Sequence, residues 1–248
     1  MKNNYFYKNK FTNIYERSSQ KSLVSSQILY GEKFKILSKN KGWLRIKTSF
    51  DNYIGYIRDK HYTDNYKPTH KVFRIKANIF NKQKNKIKYS LPYASKISII
   101  KENKKFAEYE KNKWIKKTDI KKISHIEKNY FKVLKLFLKI KYSWGGKTYK
   151  GMDCSAILQL FYYYNNKFYP RDTKDQIKYS IKNTKNRIFK KGDIIFWKGH
   201  VAICINSKKL IHAYGPEKKV IIMPIIKTLE RIKKTAKLEV KKISSIKI

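Results

Sequence analysis

A chain of 248 residues with 41% hydrophobic and 15% aromatic content has enough apolar surface for packed cores, which excludes a disordered polycation. Its 60 Lys and Arg against 17 Asp and Glu give a net charge of +43, a balance that invites a nucleic-acid partner. The excess is mostly Lys, spread along the length with Asn, Ile and Tyr of similarly AT-rich codons; with Arg scarce and no recognition motif, specific nucleic-acid binding is not expected.

From the N-terminus to about residue 65, short apolar runs alternate with turn residues. "QILYGEKFKIL", "GWLRIKT" and "YIGYIRD" read as strands bounded by Gly, Asn and Asp. A second segment repeats the plan more loosely in "KVFRIKANIF", "ASKISIIKEN" and "KFAEYEKNKWIKK". Each segment predicts a small barrel of short strands. The first, with its order of strand, GE, strand, GW, strand and Y-x-G-Y, resembles bacterial SH3-like domains, and the second resembles a divergent copy. Residues 1–66 and 67–125 are therefore expected as two SH3-like domains, followed by a third domain over 126–248.

At Ile126 the apolar period changes to that of a helix, through Tyr130, Val133, Leu134, Phe137 and Leu138. "SWGG" interrupts it, and a second helix is predicted from Asp153 to about Asn165. The runs "DIIFW", "VAICIN", "KLIHAY" and "VIIMPI" then read as an antiparallel meander, which with the helices makes an α+β domain. The charged tail after Lys227 carries no readable pattern.

Two cysteines cannot make a disulfide framework. Cys204 lies mid-strand in "HVAICIN" and reads as a small core residue. Cys154 instead follows Asp153, a good N-cap, and so begins a helix. Unpaired N–H groups and the dipole at a helix start favour negative charge, so the expectation is a thiol pKa lowered towards a usable thiolate. The same N–H groups suit an oxyanion. A base is then required. His61, His70 and His125 lie outside this domain, whereas His200 and His212 sit on strands that a hairpin would bring together. His200 is the expected base and His212 the residue that orients it. Two structural histidines at strand ends are the bland alternative. Zinc on Cys154, His200 and His212 is a further one, though the spacing fits no standard zinc motif and lacks a fourth ligand.

Four blocks, "YSWGGKTYKGMDCSAILQLFY", "PRDTKDQI", "FKKGDIIFWKGHVAICI" and "KLIHAYG", resemble in order and spacing the NlpC-type cysteine peptidases of papain-like fold. With SH3-like units in front, the chain is similar to the γ-D-glutamyl-L-diamino acid endopeptidases of bacterial cell walls. The resemblance implies Cys154 as nucleophile, His200 as base and His212 as third catalytic residue, with no cofactor or metal. It places Tyr142 along the site, and Asp153 and Ser155 of the "DCS" motif among the substrate-binding residues. The family's usual "DCSG" reads "DCSA" here, and Ala156 is the better helix former. Asp172 falls where the family holds an acidic residue near the substrate's free amine, with Thr173 beside it, although Asp172 equally suits the N-cap of a helix. Tyr53 and Glu16 of the first barrel are expected to contribute to the same pocket.

The expected partner is thus a peptidoglycan-derived peptide, L-Ala-γ-D-Glu-diaminopimelate, cleaved by a monomer in murein recycling. A non-catalytic wall-binding protein and a papain-like acyltransferase are the rival readings. The first thirteen residues lack the apolar run of an export signal and no segment approaches membrane-spanning length. A cytoplasmic location is expected on that basis, or the periplasm or cell envelope if the start is misassigned.

Overall fold

The computed structural model describes residues 4–181 and 188–246. The chain divides into two compact units, Met1–Glu127 with Tyr163–Asn166, and Lys128–Tyr162 with Lys167–Ile248.

Among the described residues, the first unit is built from strands, one short 3-10 turn and the tail end of a helix. Seven antiparallel strands, from Tyr5–Tyr7 to Tyr62–Thr63, form one sheet whose order places Ile54–Arg58 between Phe11–Tyr15 and Trp43–Thr48. Period-two alternation sends Ile14, Ile28, Phe34, Leu44, Ile46 and Ile57 into its core. The strands between His70 and Lys122 form a five-stranded and a three-stranded sheet. They enclose Val72, Ile79, Leu91, Ile97, Ala107 and Ile115. Tyr30, from the first barrel's sequence, is buried in this second core, where its hydroxyl reaches Glu110 Oε2 at 3.1 Å.

In the second unit, helix α1 (Tyr130–Leu136) starts at Asn129, whose side chain accepts the Lys132 N–H. A short hairpin, Lys147–Thr148 with Gly151–Met152, leads into α2 (Cys154–Tyr164), whose last two residues count with the first unit. Helix α3 (Thr173–Tyr179) follows. Five antiparallel strands then pair in the order Lys219–Pro224, Lys209–Tyr214, His200–Cys204, Asp193–Trp197 and Lys242–Ser245. Helix α4 (Ile225–Ala236) and the last of these strands occupy the tail that had no readable pattern. Ile195, Trp197, Ala202, Cys204, Leu210 and Tyr214 on one sheet face pack with Ile225 and Ile232 of α4. By strand alternation His200 and His212 stand on this same face. No described helix is long and apolar enough to cross a membrane.

Candidate active site

The start of α2 is fixed from three sides. Asp153 N–H donates to Gly146 O at 3.1 Å, and Met152 N–H to Lys141 O at 3.0 Å. Gly151 is required beside them, because a Cβ there would lie 2.4 Å from Ser143 Cβ. Asp153 then caps the helix as its sequence position predicts, with Oδ1 accepting the Ala156 N–H at 2.9 Å. Its carboxylate also takes a bidentate pair from Arg171, Nη1 to Oδ1 at 3.0 Å and Nη2 to Oδ2 at 2.6 Å. Ser155 Oγ donates to Asp153 and accepts from Arg171. Asp153, Ser155 and Arg171 are all buried, so the polar atoms of the "DCS" motif are engaged in building the helix start. Ala156 is fully buried within the helix.

Cys154 sits on this platform, 7% exposed. Its Sγ lies 3.9 Å from Gly199 O and 4.0 Å from Thr173 Oγ1, and it accepts a hydrogen bond from the backbone of Val201. The N–H groups of Cys154 and Ser155 donate to nothing among the described residues, as the geometry of a helix start requires. They are therefore available to a substrate oxygen. The thiol is nevertheless pushed up to about 11, first by burial and then by the Asp153 charge. This corrects the expectation of a lowered value. Removal of the thiolate from water outweighs the favourable helix start.

His200 opens its strand directly after a tight turn at Lys198 and Gly199, and Gly199 holds φ +76°, which favours glycine. Pairing of Cys204 with Leu210 brings His212 diagonally across from His200, and His200 Nε2 meets His212 Nδ1 at 2.9 Å. His200 Nδ1 makes no hydrogen bond among the described residues. Burial lowers His200 to about 4. His212, fully buried, falls to about 2 through burial, then through His200 and Arg231. Both imidazoles are neutral at neutral pH. His212 also stacks on Tyr214, with centroids 4.6 Å apart and planes 11° from parallel, while its Nε2 faces Met223 Sδ at 3.3 Å.

Tyr142 is anchored by its N–H on Lys218 O at 2.8 Å. Its phenol is pushed up to about 12 by burial and then by the Cys154 and Asp153 charges, which places it beside the thiol. Asp172 stands at the start of α3 without a side-chain capping bond. Its half-buried carboxylate makes no hydrogen bond among the described residues, and burial raises its pKa against the lowering effect of Arg171. Tyr53 and Glu16 belong to the first unit, where Tyr53 hydroxyl donates to Ser25 O at 3.3 Å and Glu16 is exposed.

The second unit thus brings together Cys154, Thr173, Tyr142, His200 and His212. Sequence reasoning missed Arg171 and Met223. An arginine in a lysine-dominated chain, directly before the singled-out Asp172, was the available signal for the first. Nothing local marks Met223. Among the described residues no group of three or more His, Cys, Asp or Glu side chains could hold a metal ion.

Residues 139–235 match the NlpC/P60 family, and residues 14–61 match the bacterial dipeptidyl-peptidase Sh3 domain. Dipeptidyl-peptidase 6 of Lysinibacillus sphaericus is 32% identical over 77 residues, which are 31% of this chain and only 28% of that protein. The γ-D-glutamyl-L-lysine dipeptidyl-peptidase of Bacillus subtilis is 22% identical over 233 residues, covering 84% of this chain and 78% of the relative. The crystal structure of an NlpC/P60 family protein from Bacillus cereus matches with a TM-score of 0.78 at 18% identity. That match covers 90% of this chain and 94% of the other, and it shows a shared fold.

Proposed function

The chain carries an NlpC/P60 domain behind a bacterial SH3 domain, and from that premise we propose a cysteine endopeptidase that cuts the γ-D-glutamyl–diamino acid bond of free peptidoglycan peptides. The observation that carries the reading is the buried Cys154 at the start of α2, with Sγ against the backbone on both sides of His200 and His200 bonded to His212. In the reaction, Sγ attacks the γ-carbonyl carbon of D-glutamate while the thiol proton passes to His200 Nδ1. The N–H groups of Cys154 and Ser155 receive the oxyanion. As the tetrahedral adduct collapses, the carbon–nitrogen bond breaks and His200 returns the proton to the departing amine. Water, deprotonated by the same imidazole, then hydrolyses the thioester. The neutral thiol and imidazole support proton transfer in step with attack rather than a standing ion pair.

The uncommitted carboxylate of Asp172 supports recognition of a cation, and the free α-amine of an N-terminal L-alanine supplies one. In intact peptidoglycan that nitrogen is acylated, so this feature favours released peptides and a role in recycling. The name of the Bacillus subtilis relative specifies lysine, so lysine and diaminopimelate peptides are both substrate candidates. The test is mass detection of both fragments from L-Ala-γ-D-Glu-diaminopimelate and its lysine counterpart, with free and N-acetylated alanine. Cleavage of the free peptides is expected, with Cys154→Ala inactive and Asp172→Asn impaired on free peptides alone. Equal cleavage of acetylated peptides removes the amine-recognition reading, and activity in Cys154→Ala removes the mechanism.

A further inference from the structure

Two neutral imidazoles joined by one hydrogen bond share a single proton, and the pair alone does not decide which ring donates. The third contact decides it. His212 Nε2 lies 3.3 Å from Met223 Sδ, and a thioether carries no hydrogen and only accepts. We infer that Met223 sets the direction of the histidine pair, so that His212 Nε2–H donates to sulfur, His200 Nε2–H donates to His212 Nδ1, and His200 Nδ1 is left as the free base. The inference rests on the catalytic roles proposed above and makes Met223 a positioning residue that acts through His212.

The reverse arrangement fails at both ends. His212 would aim a lone pair at the sulfur, and His200 would carry its proton on Nδ1, where the thiol proton has to go. Among the described residues no other acceptor relieves the constraint. Tyr214 offers His212 only the face of its ring, and no carboxylate among the described residues bonds to His212. Glu217 is engaged by Arg231 Nη1 at 2.7 Å, and the Arg231 charge opposes a proton on His212 in any case.

The fold places the sulfur reproducibly. His212 pairs with Ile221, and Leu210 with Met223, so Met223 is the diagonal neighbour of His212 on the same sheet face. Met is a flexible residue, but here it is half-buried against the core that α4 closes with Ile225 and Ile232.

The test uses the full chain labelled with 15N in histidine. Long-range 1H–15N spectra at neutral pH are expected to show Nε2 protonated and Nδ1 bare in both His200 and His212. Met223→Leu keeps the bulk and removes the acceptor. It should move part of the His200 proton onto Nδ1 and lower kcat about two- to tenfold, the range for one net hydrogen bond, with KM unchanged. Met223→Gln, whose amide oxygen accepts, should return both the proton pattern and most of kcat. A wild-type His200 protonated on Nδ1, or a Leu variant with unchanged proton pattern and rate, overturns the inference. If the protein cleaves none of the peptides yet loses the Nε2–H pattern in Met223→Leu, the relay stands and the proposed reaction falls.

Discussion

Cys154 is held neutral by the burial that also positions it. The helix start, the Val201 N–H and Thr173 all favour a thiolate, yet loss of water dominates and the thiol rests near 11, while His200, between the Gly199 and Val201 backbone that Sγ touches, rests near 4. The sign of the pH dependence follows. Between these two values the thiol is protonated and the imidazole bare, so the thiolate fraction grows about tenfold per pH unit up to about 11. Alkylation of Cys154 by iodoacetamide should therefore climb steadily from about pH 6 to 9 with no plateau. A standing thiolate–imidazolium pair would instead give a flat rate over that range. Mass-mapped labelling kinetics distinguish the two, with Cys204, fully buried at the end of its strand, as the internal control.

The start of α2 is an element whose polar parts are nearly all internal. Arg171 and Asp153 form a buried bidentate pair, with 1% and 10% of their side chains exposed. Breaking such a pair from one side leaves a charge stranded, at a cost of about 3–5 kcal/mol. Arg171→Ala should lower thermal stability accordingly, and Arg171→Lys should recover only part of it, since an ammonium cannot reproduce the fork. Calorimetry with parallel kinetics checks this. A stable Arg171→Ala enzyme with raised KM would mean that Asp153 and Ser155 serve substrate rather than fold. The contrast shows what a sequence displays and what it hides. Asp153 as cap and Cys154 as first helical residue were legible because capping is local. The bond from Arg171, eighteen residues on from its partner Asp153, was not. Helix α4 hid for a different reason: of its twelve residues it fully buries Ile225, Thr228 and Ile232, and charged side chains such as Lys227, Glu230, Lys233 and Lys234 interrupt the apolar pattern. The strand Lys242–Ser245 has four residues and pairs with Asp193–Trp197, so its signal lies wholly in the partner. Likewise the two histidines could be paired from their hairpin, but Met223 acquires its role only through the register of a third strand.

At the scale of the molecule, charge acts over distances that no local contact settles. At most 17 of the 60 cationic side chains can have a carboxylate of their own. Some carboxylates are spent internally, as Asp153 is on Arg171, and cations face each other across strands, as Lys35 does Lys47. Like charges in that register repel, and a net charge this far from zero strains the compact state. Added salt shortens the Debye length from about 10 Å at 0.1 M to about 3 Å at 1 M, which weakens repulsion between exposed lysines. Melting temperature should therefore rise with sodium chloride and level off near molar salt. The same field acts on substrates with the opposite consequence. The diaminopimelate peptide is net anionic and is drawn in by a cationic protein, whereas the lysine peptide is balanced. Salt should thus lower kcat/KM for the diaminopimelate peptide and leave the lysine peptide nearly unaffected, while stability improves for both assays. Measuring melting temperature and kcat/KM across one salt series tests the pair of effects. A flat melting curve, or equal salt sensitivity of the two peptides, would show that the charge acts on neither the fold nor the encounter.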